Sequence, residues 1–98
     1  MFGLTQKDLD LVKRILKEQL SVNSAVFVFG SRARGVQGKF SDIDIMVESK
    51  VTNLELARTK EQFEESDLSI KVDLIHISDF ANDYLKNYES EKIKLDLS

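Results

Sequence analysis

The amino-acid sequence predicts a small α+β fold, in which helices pack on one face of a mixed β-sheet of three to four strands. Two observations predict this class. Segments with helical periodicity alternate along the chain with short apolar runs of strand length. In addition, a chain of 98 residues can bury only one modest hydrophobic core. We therefore expect residues 1–98 to form a single domain.

The first elements are predicted to be a helix and a buried strand. Thr5 can cap the helix, and Asp8 follows three residues later, as in a capping box. The helix has one apolar stripe, made of Leu9, Val12, Ile15, Leu16 and Leu20. Residues 21–24 end the helix. The next segment, 25–29, is a continuous apolar run rich in β-branched and aromatic residues, which is typical of a strand covered on both faces.

A short helix and a second strand follow. Gly30 ends the first strand, and Ser31 can cap a helix that runs through Val36. Beyond a loop at residues 38–41, apolar residues occupy every second position, which predicts a strand with one apolar face. The apolar members are Ile43, Ile45 and Val47.

A charged helix and a third strand come next. Thr52 and Glu55 form a capping-box pair that opens a helix reaching to about Glu65. The apolar segment 70–77 predicts the third strand. We interpret His76, near its end, as a hydrogen-bonded or packed residue rather than a ligand.

The C-terminal segment predicts one more helix and an edge strand. Ser78 or Asp79 can cap the helix, which carries aromatic residues at four-residue spacing. We interpret these aromatic residues, Phe80, Tyr84 and Tyr88, as core rather than as a surface that stacks on bases. The tail alternates apolar and charged residues through residue 97, which suits a short edge strand protected by charge.

Composition excludes several classes of function. The net charge of −3 and the pI near 5.1 argue against nucleic-acid binding by the isolated chain, because such binding depends on neutralising phosphates. The absence of cysteine excludes disulfides, zinc–thiolate sites and thiol catalysis. The apolar runs are far shorter than a membrane span requires. We therefore expect a soluble cytoplasmic protein without membrane contact.

Three aspartates are candidates for a metal site. Asp42 and Asp44 point to the same face of the second predicted strand, with Cα atoms about 7 Å apart. Asp73 lies inside the apolar third strand, where an unpaired charge is costly. If the two strands are neighbours, the three carboxylates converge and suit Mg²⁺ or Mn²⁺. The alternative is that Asp42 and Asp44 face solvent while Asp73 pairs with Lys71 or an arginine.

The turn at Gly30 and Ser31 is a candidate phosphate-binding site. It follows a buried strand and opens a helix, so backbone N–H groups are available there, and the Ser31 hydroxyl adds a donor. Nearby cations, Arg32, Arg34 and Lys39, add local positive charge. Two common nucleotide motifs are absent. The segment Gly30–Gly35 is not followed by the Lys-Ser/Thr of a Walker A loop, and Arg32 stands where a dinucleotide-binding motif needs glycine. The alternative is a plain turn with solvated arginines.

Together these residues form a recognisable pattern. Gly30-Ser31, ten intervening residues and Asp42-x-Asp44 resemble the signature of the DNA polymerase β-type nucleotidyltransferase superfamily. The segment 30–45 is similar to its minimal nucleotidyltransferase branch, and 71–75 resembles the strand that carries that branch's third carboxylate. The resemblance implies a polymerase β-like nucleotidyltransferase fold.

The resemblance also implies a role for each residue in the transfer of a nucleoside monophosphate from a nucleoside triphosphate, with release of pyrophosphate. Asp42 and Asp44 hold a Mg²⁺ ion that grips the triphosphate, and Asp73 completes a second metal site and accepts the proton of the attacking hydroxyl. Gly30 and Ser31 seat the β- and γ-phosphates. Two arginines can steady phosphate charge: Arg34 first and Arg32 second. For Arg34 a structural pair with a carboxylate is an equal alternative.

In the minimal branch, the resemblance implies a separate helical HEPN-domain protein as partner, because no residues remain here for an acceptor-binding domain. The expected reaction is AMP transfer from ATP to a tyrosine of this partner, with the small chain acting as an antitoxin. A binding module that neutralises or scaffolds the partner without turnover is the alternative. Transfer to RNA is disfavoured by the acidic pI of 5.1.

Overall fold

The structure, a computed structural model, describes residues 1–21 and 23–97. Val22, which belongs to the predicted break after the first helix, lies outside the described residues. The helices are α1 (Gln6–Gln19), α2 (Ser31–Arg34), α3 (Asn53–Glu65) and α4 (Leu85–Glu91). The strands are β1 (Val26–Phe29), β2 (Ile43–Val47), β3 (Val72–His76) and β4 (Ile93–Lys94). Two 3₁₀ turns, Ile77–Asp79 and Asn82–Tyr84, lie between β3 and α4.

The strands form one mixed sheet in the order β3-β2-β1-β4. Strand β1 pairs antiparallel with both β2 and β4, whereas β2 and β3 are parallel. The parallel pair needs a crossover, and α3 provides it. The predicted α+β class with a small mixed sheet is confirmed.

The two long helices begin at the predicted caps. The Thr5 hydroxyl accepts a hydrogen bond from the Asp8 amide, and Thr52 and Glu55 form a reciprocal capping box. Both helices pack on the same face of the sheet, where the inward residues of the strands form the main core with the α1 stripe and Phe63 of α3. The strand members of this core are Val26, Val28, Ile43, Ile45, Val47 and Leu74. None of the helices described is both long and apolar enough to cross a membrane.

The short helix α4 covers part of the opposite face, so the expectation that helices lie on one face holds for α1 and α3 but not for α4. The cause is the apolar character of both faces of β1: Phe29 and the partly buried Phe27 point away from the main core, beside Met46 of β2. Tyr88 of α4 packs on this second cluster, with its ring 5.3 Å from that of Phe29 in an edge-to-face contact. Both faces of the central strands therefore bury apolar area.

The segment that carries the spaced aromatic residues is not one continuous helix. Two 3₁₀ turns precede α4, and a 3₁₀ turn rotates each residue by a larger angle than an α-helix does. Phe80 and Tyr88 still contact Phe29, as expected for core residues. Tyr84, by contrast, is 61% exposed. The interpretation as core is therefore confirmed for Phe80 and Tyr88 and is wrong for Tyr84.

Replacing Tyr88 with phenylalanine is expected to lower the free energy of unfolding by about 1–2 kcal/mol, because the buried Tyr88 hydroxyl donates to Glu48. Burial acts to raise the pKa of Glu48, but hydrogen bonds from Lys92 and Tyr88 lower it below 4.5 overall. Because the pKa of Glu48 is lower in the folded state than in the unfolded state, ionised Glu48 stabilises the fold above its unfolded-state pKa. The loss of stability caused by Tyr88→Phe should therefore shrink as pH falls through the folded-state pKa of Glu48. Thermal denaturation against pH measures this. The same change at exposed Tyr84 should leave stability unaltered, and equal losses at both tyrosines would refute the role of Glu48.

Candidate active site

The turn between β1 and α2 has a backbone that requires glycine. Gly30 has φ 73° and ψ −153°, a region that residues with a side chain scarcely enter. A Cβ atom at this position would lie 2.3 Å from Oδ2 of Asp44. Gly30, and not Ser31, occupies the position before the first turn of the helix, and Ser31 is the first helical residue. The expected Ser31 cap and the extension to Val36 are therefore wrong, because Gly35 in the left-handed conformation ends α2 after one turn.

The sheet register brings two of the three aspartates side by side. Asp44 of β2 is paired with Asp73 of β3 and, on its other side, with Phe29 of β1. Paired residues of adjacent strands point to the same face, and the strands are about 4.8 Å apart. Asp42 precedes the first residue of β2, Ile43, and its charge lies close enough to act on Asp44. Asp44 and Asp73 are therefore neighbours on one face of the sheet, beside the Gly30 turn, while the convergence of all three aspartates stays a prediction.

Asp44 has the most perturbed environment of the three aspartates. Its partial burial and the neighbouring charges of Asp73, Asp42 and Glu91 raise its pKa, against a smaller lowering effect of Arg34. Within residues 1–21 and 23–97, no three His, Cys, Asp or Glu side chains are gathered closely enough to count as a metal-binding group. The metal-binding roles of Asp42, Asp44 and Asp73 therefore stay predictions.

Asp73 is exposed near the start of the edge strand β3. In the part of the chain that the structure describes, neither Lys71 nor an arginine forms a salt bridge with it. The structural alternative considered for this residue, an ion pair that compensates a buried charge, therefore does not hold. Its side chain is free to contact a ligand on the face that it shares with Asp44.

The two arginines of α2 have different surroundings. Arg32 is buried and donates hydrogen bonds to the backbone carbonyls of Phe2 and Ser41, which tie the N-terminus and the loop before β2 to α2. The expectation that Arg32 contacts phosphate is wrong, because its donors are used inside the fold. Arg34 is half exposed, and its Nη1 lies 2.6 Å from Oε2 of Glu91. The predicted pair with a carboxylate is observed for Arg34, while its contact with phosphate stays a prediction.

Glu91 was missed by the sequence analysis. It is separated from Arg34 by 57 positions and belongs to a helix whose place on the sheet the sequence did not indicate. No local motif marks it, since it lies in a run of charged residues typical of a solvated surface.

His76 is the last residue of β3 and forms hydrogen bonds within the fold. Its Nε2 donates to the carbonyl of Ser49, and its Nδ1 accepts from the backbone amide of Ser78. These partners assign the neutral tautomer with the proton on Nε2. The interpretation of His76 as a hydrogen-bonded residue is confirmed.

The chain is similar to known proteins. Residues 9–96 match the family model of the nucleotidyltransferase domain. The chain is 37% identical over 83 residues to "Probable protein adenylyltransferase MntA" of Haemophilus influenzae, an alignment covering 83% of this chain and 72% of the relative. It is 41% identical over 88 residues to protein MJ1379 of Methanocaldococcus jannaschii, which also carries a protein adenylyltransferase description, with 83% of each chain covered.

Solved structures share the fold. One is a toxin–antitoxin complex with AMP-PNP, which matches with a TM-score of 0.67 at 20% identity and covers 88% of this chain and 70% of that chain. Another is the toxin–antitoxin MntA-HpeT with a Y104A mutation, with a TM-score of 0.65 at 21% identity and coverage of 94% and 72%.

Proposed function

Because the chain belongs to the nucleotidyltransferase-domain family, we propose that it transfers AMP from ATP to a hydroxyl group of a protein partner, using Mg²⁺. The expected resemblance to the minimal nucleotidyltransferases is confirmed by this family membership and by the relatives. The observation that carries the proposal is the contact between the Gly30 turn and Asp44, with Asp73 paired beside Asp44 on the same face. This contact supports a nucleotide site in which the candidate phosphate-binding turn lies beside the candidate metal-binding carboxylates.

The three aspartates fit a magnesium site by their chemistry. All are carboxylates, the ligand type that Mg²⁺ prefers, and burial, followed by the charges of Asp73 and Asp42, raises the pKa of Asp44. In this proposal Asp42 and Asp44 hold one ion, and Asp73 completes a second site. When bound, the metal ions supply the positive charge that a triphosphate and a departing pyrophosphate require.

The nucleotide binds at the turn before α2. The backbone N–H groups of Ala33 and Arg34 already donate to the carbonyl of Gly30, so the N–H group of Ser31, together with its hydroxyl, is assigned to the β- and γ-phosphates. Glycine at position 30 leaves the space that a side chain would fill between the turn and Asp44. Arg34 supplies a further cation at the same face.

The reaction is an in-line displacement. A hydroxyl oxygen of the acceptor forms a bond to the α-phosphorus of ATP, while the bond from that phosphorus to the bridging oxygen breaks. The electron pair of the broken bond leaves with pyrophosphate, and the hydroxyl proton passes to the Asp73 carboxylate. The product is the AMP ester of the acceptor.

The partner in this proposal is a helical HEPN-type toxin whose tyrosine accepts AMP, so that residues 1–98 act as a single-domain cytoplasmic antitoxin. Two findings support it: a relative is described as a protein adenylyltransferase, and structural neighbours occur in toxin–antitoxin assemblies. An acceptor carried by another chain also suits the open position of Asp73 at the sheet edge.

The test is to incubate the chain with its HEPN-type partner, ATP and Mg²⁺ and to measure the intact mass of the partner. We expect the mass of one or more AMP groups to be added, and Asp42→Asn to reduce the rate by at least about a hundredfold. Asp79→Asn is the matched control, because Asp79 is an exposed aspartate beyond the opposite end of β3. If no nucleoside triphosphate yields an addition while Asp44→Ala still suppresses the toxin, the chain acts by binding alone.

A further inference from the structure

Helix α4 brings a fourth carboxylate to the candidate active site. Glu91, its last residue, accepts the 2.6 Å hydrogen bond from Nη1 of Arg34. The Glu91 side chain is only 16% exposed, whereas that of Arg34 is 53% exposed. The charge of Glu91 also contributes to the raised pKa of Asp44, so this carboxylate lies close to the aspartate cluster. The exposed arginine is therefore held by a largely buried anchor at the edge of the site.

The position of this anchor does not depend on Arg34. Tyr88, one turn before Glu91, is buried against Phe29 and donates to Glu48. Lys92, the residue after Glu91, bonds to the same Glu48 carboxylate at 2.8 Å. These contacts fix the end of α4 to strands β1 and β2, so the fold should survive the loss of the Arg34–Glu91 pair.

The pair leaves most of the arginine available. A guanidinium group has five N–H donors, and the contact with Glu91 joins one of its nitrogens to one oxygen. A free arginine loses side-chain entropy when it is fixed by a ligand. An arginine that is already held loses less, so the contact with phosphate is stronger for the same hydrogen bonds. Because the guanidinium of Arg34 is half exposed, solvent screens the pair and its contribution to folding is small, which makes orientation the larger consequence of this pair.

We infer that Glu91 is a positioning residue, which orients the Arg34 guanidinium toward the triphosphate of the nucleotide. The inference rests on the proposed function and assigns Glu91 no contact with the substrate. It predicts that Glu91 affects nucleotide binding through Arg34, and that an uncharged side chain with an acceptor oxygen at the same place retains most of the effect.

The experiment compares Glu91→Ala, Glu91→Gln, Arg34→Ala and the double variant Arg34→Ala/Glu91→Ala, with Glu89→Ala as control. Glu89 lies on the same helix and pairs with Lys92 instead. We expect Glu91→Ala to raise KM for ATP about tenfold with kcat within about twofold, and Glu91→Gln to recover most of the loss. In the Arg34→Ala background, Glu91→Ala should cause no further rise in KM for ATP. A purely structural role would instead add to the effect of Arg34→Ala.

A second readout follows the free chain without nucleotide. Nuclear magnetic resonance relaxation of the Arg34 Nε–Hε group should report an ordered side chain in the wild type and a mobile one in Glu91→Ala. Equal order in both would overturn the inference, and so would a lower KM in Glu91→Ala, which would make Glu91 an obstacle to nucleotide binding. If the wild type shows an ordered Arg34 but transfers no nucleotide, the proposed function fails. If the wild type is active and Glu91→Ala has the same KM and kcat, this inference alone fails.

Discussion

Replacing Asp44 with asparagine should abolish nucleotidyl transfer and, at the same time, make the folded chain more stable. Burial and the charges of Asp73, Asp42 and Glu91 raise the pKa of Asp44 in the folded state. The folded state therefore holds this proton more strongly than the unfolded state. As pH rises above the ordinary value of 3.8, ionisation of Asp44 favours unfolding, so at neutral pH the carboxylate destabilises the fold. Asparagine removes that charge and keeps nearly the same shape.

The expected magnitudes differ between the two properties. Transfer should fall by about a thousandfold or more, since loss of a single group that stabilises transition-state charge costs this much in other enzymes. The melting temperature should rise by a few degrees, on the order of the effect that 1 kcal/mol has on a domain of this size. Thermal denaturation at pH 7 and at pH 4 measures the second effect, and the gain should be smaller at the lower pH.

Magnesium provides the matched control for this variant. If Asp42 and Asp44 bind the ion in the folded state, added Mg²⁺ should raise the melting temperature of the wild type and leave that of Asp44→Asn unchanged. Asp79→Asn should respond to Mg²⁺ as the wild type does, because Asp79 lies outside the cluster. A variant Asp44→Asn that is less stable than the wild type would show that the carboxylate supports the fold and would contradict this assignment.

Replacing Gly30 with alanine should have the second large effect. The backbone conformation at Gly30 costs a residue with a side chain about 1–3 kcal/mol, and the new Cβ atom would meet Oδ2 of Asp44 at 2.3 Å. The carboxylate or the turn must then move. We expect activity to fall at least about a hundredfold, because catalysis depends on sub-ångström placement of the reacting groups.

Gly35 separates the two causes. It also has a positive φ, of 74°, but a Cβ atom there would meet nothing within 4 Å. Gly35→Ala should therefore lose about 1–2 kcal/mol of stability and keep most of its activity. Comparable activity in Gly30→Ala and Gly35→Ala would mean that the contact between the turn and Asp44 is unimportant for the reaction. Rates measured with saturating ATP, alongside urea denaturation, resolve the two effects.

Features that depend on local spacing could be predicted from the sequence. The caps at Thr5 and Thr52 and the stripe of α1 follow from patterns of a few residues, and the structure shows all three. The convergence of Asp44 and Asp73 could also be expected, because a parallel neighbour joined through α3 sets the strand directions. Their register, which places them directly opposite each other, needed the folded sheet.

The direction of a side chain on α2, and the face of the sheet that α4 covers, could not be predicted from local spacing. Arg32 and Arg34 lie two positions apart on one helical turn and so point to different sides, one into the fold and one toward Glu91. The sequence analysis ranked Arg34 before Arg32 for the site, but it could not show that the guanidinium of Arg32 is buried in the fold. The same holds for α4, whose place on the second face follows from contacts of Tyr88 with residues far away in the chain.

The central claim is that the chain transfers the nucleotidyl group of ATP, and labelled ATP tests it most directly. ATP carrying radioactive phosphorus at the α or at the γ position should be incubated with the chain, its HEPN-type partner and Mg²⁺. We predict that the α label becomes covalently attached to the partner, that the γ label leaves as pyrophosphate, and that Asp42→Asn attaches neither. Attachment of the γ label would instead indicate phosphoryl transfer, and attachment of neither label by the wild type would contradict the claim that the chain is catalytic.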